Sequence, residues 1–120
     1  MVNVLIVEDN YDLQMLFATV FKRAGYEVTV ASDGYEACHY LLHELPQVMI
    51  LDINIPGPSG LDIARFVRES EQEGHVIMIV VTANHAAKYA DEIKFVDMFL
   101  EKPVYPTELT VLAKRLLDDK

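Results

Sequence analysis

Four polar stations stand at or just past the ends of apolar runs. Glu8-Asp9 follows Val2 to Val7, Asp52 follows Val48-Met49-Ile50-Leu51, Thr82 follows Val76 to Val81, and Lys102-Pro103 comes after Met98-Phe99-Leu100. If Glu8, Asp9 and Asp52 converge, each carboxylate pair about 4 Å apart repels by roughly 1 kcal/mol in water and about 4 kcal/mol at an effective dielectric near 20. A cation must offset that repulsion. Hard oxygen ligands in an open site suit Mg²⁺ better than a closed Ca²⁺ cage, and Lys102 adds a fixed positive charge. A carboxylate beside a metal, an ammonium and a hydroxyl has what phosphoryl transfer requires. Asp52 would be the nucleophile, the metal would bridge it to the incoming group, and Lys102 and Thr82 would stabilise charge on the phosphoryl oxygens. The product would be an aspartyl phosphate. Each station alone reads as a helix cap or a loop start. Their joint occurrence, in order and at strand ends, points to a site.

The apolar runs near 2–7, 48–51 and 76–81 do not alternate with polar residues, as expected for central parallel strands covered on both faces. Val28-Thr29-Val30 alternates and Met98 to Leu100 is short, so both are expected at sheet edges. Leu13, Leu16, Phe17, Val20 and Ala24 recur at helical spacing and predict the apolar face of a first helix, ended by Gly25. Asp33 with Glu36, and Ser59 with Asp62, predict helix starts. Leu109, Leu112 and Leu116 form the face of the last helix, with Pro106 in its first turn. The segment from Asn84 to Glu92 has mostly alanines as its apolar residues and predicts a short, loosely packed fourth helix. The expectation is a doubly wound α/β sheet of five parallel strands with five helices, its ligands bound outside the carboxyl ends of the strands. Periodicity does not order the strands; the order 2-1-3-4-5 comes from analogy with flavodoxin-like sheets.

At 120 residues, with 52% of them apolar, the chain suits a single domain over 1–120. Nineteen acidic residues against ten basic give a net charge of −9, which opposes direct binding to nucleic acid or to anionic membranes. The apolar runs are too short to span a membrane, and the lone Cys38 agrees with a reducing, cytoplasmic setting, where it reads as a small core residue. His39 and His43 are one helical turn apart but have no evident third ligand, so they read as a solvated helix face. His75 and His85 read as surface residues.

The chain resembles the receiver domain of two-component response regulators over nearly its whole length. The resemblance rests on Val7-Glu8-Asp9-Asn10, Asp33-Gly34-Tyr35-Glu36-Ala37, Asp52-Ile53-Asn54-Ile55-Pro56 with Gly60, Thr82-Ala83, and Phe99-Leu100-Glu101-Lys102-Pro103. It implies that Asp52 accepts phosphate from a histidine kinase or phosphotransfer protein. It further implies that Asp9, Asp52 and the backbone carbonyl of Asn54 bind Mg²⁺, with Glu8 acting through a metal-bound water. Thr82 and Phe99 would form the switch, Thr82 moving toward the phosphate and Phe99 turning inward. With Phe in place of Tyr, the outward state lacks a hydroxyl, so a greater inward population is expected before phosphorylation. A cis Lys102–Pro103 bond is also implied. In many relatives a homodimer forms through the fourth helix, fifth strand and fifth helix, and Asp97, Lys114 and Arg115 are candidates for that face.

Phe95-Val96-Asp97-Met98 replaces the familiar Gly-Ala-Asp-Asp, and the interval from Thr82 to Lys102 is about two residues shorter than the commonest pattern. The fourth helix or its loops must therefore be trimmed. Asn54 and Asn84 stand two positions beyond Asp52 and Thr82, on the expected path of the water that hydrolyses the phosphate, and neither supplies a general base. No separate substrate is expected to turn over, so the chain is not read as an enzyme beyond its own phosphorylation and dephosphorylation. Three alternatives compete. A phosphorylation-independent pseudo-receiver would commonly lack one of the acidic pair, the acceptor or the lysine, and all are present. A Mg²⁺-dependent phosphatase would need an Asp where Asn54 stands. A flavin-binding sheet would place a hydroxyl-rich loop where Glu8-Asp9 repel phosphate.

Overall fold

In the computed structural model, residues 1–70 and 75–119 are described. Five strands, β1 (Asn3–Val7), β2 (Glu27–Ala31), β3 (Val48–Leu51), β4 (Ile77–Thr82) and β5 (Met98–Glu101), form one parallel sheet in the order β2-β1-β3-β4-β5. The runs expected to be central are central: every residue of β3 and β4 is buried. The alternating and the short strand lie at the two edges.

Helices α1 (Tyr11–Arg23), α2 (Gly34–His43), α3 (Gly60–Ser70) and α4 (Pro106–Asp118) cover both faces. Strand side chains alternate between the two faces, which divides the core in two. Val4, Ile6, Ile50, Ile79 and Val81 pack with Phe17 and Phe21 of α1 and Leu109 and Ala113 of α4. Leu5, Val7, Met49, Leu51 and Met78 pack with Ala37 and Leu41 of α2 and Ile63, Ala64 and Val67 of α3. Cys38 sits half-buried against this second cluster, where burial pushes its thiol pKa up and disfavours the reactive thiolate.

The expected punctuation holds. Gly25, at φ +93°, closes α1: its N–H donates to the Lys22 carbonyl while Tyr26 N–H donates to that of Phe21, each at 3.0 Å. The Phe21 and Tyr26 rings meet edge to face at 4.9 Å, supplying the apolar contact of a Schellman end. Asp33 accepts from Glu36 N–H at 2.8 Å to cap α2, and Ser59 accepts from Asp62 N–H at 3.2 Å before α3. Pro106 opens α4.

Two expectations need correction. The buried face of α1 is Gln14, Phe17, Ala18 and Phe21, with Leu13 and Val20 at its margins, whereas Leu16 is 51% exposed and Ala24 lies at the surface. The stripe is rotated because a polar residue, Gln14, faces inward. The fold also has four α-helices among the described residues rather than five. Where the fourth was expected lie two 3₁₀ turns, His85–Tyr89 and Asp91–Phe95, separated by Ala90 in an extended conformation. Only Ala87 is buried in the first turn and nothing in the second, so this short segment has no apolar stripe to reward a longer helix.

Asp97, a candidate for a partner face, is engaged within the chain. One carboxylate oxygen lies 2.7 Å from His75 Nε2; the other accepts from Met78 N–H at 2.7 Å and from the Arg68 guanidinium at 3.2 Å. Arg68 also donates to the carbonyls of Phe95 and Val76. This network ties the end of α3 to the starts of β4 and β5, at the end of the sheet opposite the four stations. Replacing Asp97 with Ala strips acceptors from all three donors at once. The expected cost is about 2 kcal/mol of folding stability, read as a lower urea midpoint with an unchanged slope.

Candidate functional site

Parallel pairing brings the carboxyl ends of the strands to one edge, and the ladder continues one residue past the strands that carry the acids. Glu8 N–H donates to the Ala31 carbonyl at 3.1 Å, and Asp52 N–H donates to that of Val7 at 3.0 Å. Glu8 and Asp52 are therefore held by backbone bonds at adjacent positions, with only 2% and 5% of their surfaces exposed. Asp9, one residue further, is exposed.

Lys102 closes this arrangement. Its Nζ lies 2.8 Å from Asp52 Oδ2 and 2.7 Å from Glu8 Oε1. The first contact is a hydrogen bond. The second is an ion pair off the hydrogen-bond line, so the buried Glu8 Oε1 retains unused acceptor capacity. Glu8 Oε2 accepts from Asn10 N–H at 3.0 Å. Burial pushes the Glu8 carboxyl above the usual carboxylate range, and Lys102 and the Asn10 N–H offset only part of that rise. For Lys102, burial pulls the pKa down, but its hydrogen bond to Asp52, its close pairing with Glu8 and their two charges outweigh burial and raise it overall. The amine is thus held as an ammonium.

One oxygen from each of Glu8, Asp9 and Asp52 can be chosen so that all lie within 4.8 Å of one another. The donors are all hard carboxylate oxygens, and two of the three, those of Glu8 and Asp52, come from buried residues. The cluster fits a hard divalent cation. Among the described residues it is the only group of three or more such side chains arranged to hold a metal. His39 and His43 instead sit exposed with their rings edge to face, 5.3 Å apart.

The remaining stations surround the acids. Thr82, fully buried at the end of β4, accepts Lys102 N–H at its carbonyl (2.9 Å) and Asn84 N–H at Oγ1 (3.2 Å). Asn84 Nδ2 donates to Asn54 Oδ1 at 3.2 Å, a bridge between the loops after β3 and β4. Asn54 N–H donates to Asp52 Oδ1 at 3.2 Å. Phe99 lies half-buried against Ile53, Val80 and Ala87. The Lys102–Pro103 peptide is cis. His85 is a surface residue, its Nδ1 2.6 Å from Glu101 Oε1.

Two parts of the site escape a reading by motif. The Asn54–Asn84 hydrogen bond follows from no spacing rule. Gln14 is the second: with Glu8, Asp52 and Thr82 it completes the buried polar residues among those described. A glutamine inside a helical stripe gives no sequence signal for such a role.

The family described as the response regulator receiver domain matches residues 4–114. The aerobic respiration control protein ArcA of Escherichia coli is 36% identical over 118 residues, covering 96% of this chain and 48% of ArcA. The chain thus spans about half the length of that relative. Response regulator TrrA of Thermotoga maritima, solved in complex with Mg²⁺–BeF, superposes with a TM-score of 0.85 at 28% identity, covering 97% of this chain and 99% of TrrA. TrrA in a complex with histidine kinase ThkA gives 0.83 at 28% identity, covering 98% of this chain and 99% of that one. The chain belongs to the response regulator receiver domain family of two-component systems. No helix among the described residues is long and apolar enough to cross a membrane.

Proposed function

We propose that Asp52 is the phosphoacceptor and that Mg²⁺ is the metal of this site, held by Asp9, Asp52 and the Asn54 carbonyl, with Glu8 acting through a bound water. The observation that carries this reading is the ammonium of Lys102 held within 2.8 Å of both Asp52 and Glu8 at an edge that also carries Asp9 and Thr82. The donor is a phosphohistidine on a kinase or phosphotransfer protein, a reading supported by the complex that TrrA forms with ThkA. An Asp52 oxygen forms a bond to phosphorus as the phosphorus–nitrogen bond breaks, and the imidazole leaves with that electron pair. When bound, the metal neutralises charge on the transferring group. Lys102 offsets the charge that builds on the phosphoryl oxygens, and Thr82 Oγ1 donates to one of them once its loop moves inward.

That movement is the switch. The phosphoryl group interacts better with Thr82 drawn inward than with the present arrangement, and the two-state balance shifts accordingly. Phe99 follows by packing more deeply beside Ile53 and Val80. The state so formed acts on a partner or an output domain. A lone, half-buried Cys38 supports a reducing, cytoplasmic setting.

The metal dependence tests this reading: with acetyl phosphate as donor, a chelator should abolish formation of the aspartyl phosphate, and equal yields with and without free Mg²⁺ would contradict it. Asn84→Ala removes the bridge to Asn54 and opens the water path. It should change the lifetime of the phosphorylated state several-fold while leaving the rate of phosphotransfer from a kinase nearly unchanged. Equal changes in both rates would refute that assignment.

A further inference from the structure

We propose that Gln14 is a positioning residue for the metal ligands: it fixes the Glu8–Asp9 peptide, and through it the Asp9 carboxylate, against the loop between β2 and α2. The proposal rests on the metal reading above. Gln14 is 8% exposed, and its Nε2 donates both to the Glu8 carbonyl and to Ser32 Oγ, the latter at 2.8 Å. Glu8 N–H donates to the Ala31 carbonyl at 3.1 Å, so the turn after β1 is fastened to residues 31 and 32 at two points.

The Glu8 carbonyl and the Asp9 N–H belong to one rigid plane, so holding the carbonyl sets the direction in which Asp9 leaves the strand. Asp9 itself is exposed, so packing does little to orient it. Its neighbours differ in this respect, since Glu8 and Asp52 are buried and bonded to Lys102. The buried stripe continues through Phe17, Ala18 and Phe21, so Gln14 is its one polar member, and the two hydrogen bonds it donates offset the cost of burying its amide. Partners that orient metal ligands through a hydrogen bond typically change metal affinity 10- to 100-fold when removed.

Gln14→Met keeps length and volume but removes both donors. Calorimetric titration of the metal-free protein with MgCl₂ should show the Kd raised about tenfold. The amides of β1 should stay as protected from hydrogen exchange as in wild type, so that the change in Kd reads as local. A wild-type Kd in folded Gln14→Met overturns the positioning role and leaves the metal site standing. A wild-type protein that takes up no Mg²⁺ overturns the metal site and this role together. Should Gln14→Met fail to fold, Ser32→Ala removes one anchor of the same amide from an exposed position. It should raise the Kd by a smaller factor of about three, and an unchanged Kd would overturn the proposal.

Discussion

Lys102→Ala is expected to slow phosphoryl transfer to Asp52 by roughly 100- to 1,000-fold, the loss typical of removing one preorganised donor from developing charge. The lysine is well placed for such an effect. Its Nζ touches Asp52 Oδ2 and Glu8 Oε1, and its side chain is only 20% exposed, so solvent replaces it poorly. Deleting it also leaves two buried carboxylates facing one another. The variant should therefore lose stability without metal, about 2 kcal/mol for a partly buried pair, and recover part of it when Mg²⁺ is added. Rates of adduct formation from acetyl phosphate, with urea unfolding in Mg²⁺ and in chelator, separate the two effects. A rate within tenfold of wild type would remove Lys102 from the chemistry.

Gly60→Ala should be strongly damaging for the addition of a single methyl group. A Cβ there would collide with the Asp52 carbonyl oxygen and would lie 2.8 Å from Ile53 Cα and 2.9 Å from the Asp52 carbonyl carbon. All three are backbone atoms, so no side chain can swing aside. Gly60 N–H also donates to the Ile53 carbonyl at 3.0 Å, which is what draws the start of α3 onto the residues after β3. Relief requires α3 to back away or Asp52 to shift. The expected cost is about 3 kcal/mol, the upper part of the range for overpacking, with a fall in Tm of roughly 10 °C or more. Phosphoryl uptake should fall in the fraction that remains folded, because the displaced backbone is that of the nucleophile. A Tm within a few degrees of wild type would mean that α3 yields more readily than its contacts imply.

Much of this fold could be read from patterns. Unbroken apolar runs became the buried central strands, the alternating and short runs became the edges, and Gly25, Asp33 and Pro106 punctuate helices where expected. The acids and Lys102 were legible because each follows an apolar run, and parallel strands bring such positions to one edge. Strand order was not legible, since pairing is decided between segments rather than within them. The buried face of α1 was misplaced by its Leu16: hydrophobicity marks what can be buried, while the hydrogen bonds of Gln14 decided what is. The fourth helix failed for the opposite reason, since alanines allow a helix but give the sheet little to hold. The internal role of Asp97, a candidate for a partner face, was not legible because its partners, Arg68 and His75, lie more than twenty residues away in sequence.

The most direct measurement is the intact mass of wild type and Asp52→Asn after incubation with acetyl phosphate, with Mg²⁺ and with chelator. Wild type should gain a single phosphoryl group only with Mg²⁺, and Asp52→Asn should gain none. A folded, Mg²⁺-binding wild type that takes up no phosphoryl group, or an Asp52→Asn variant that takes up one as readily as wild type, would contradict Asp52 as the acceptor.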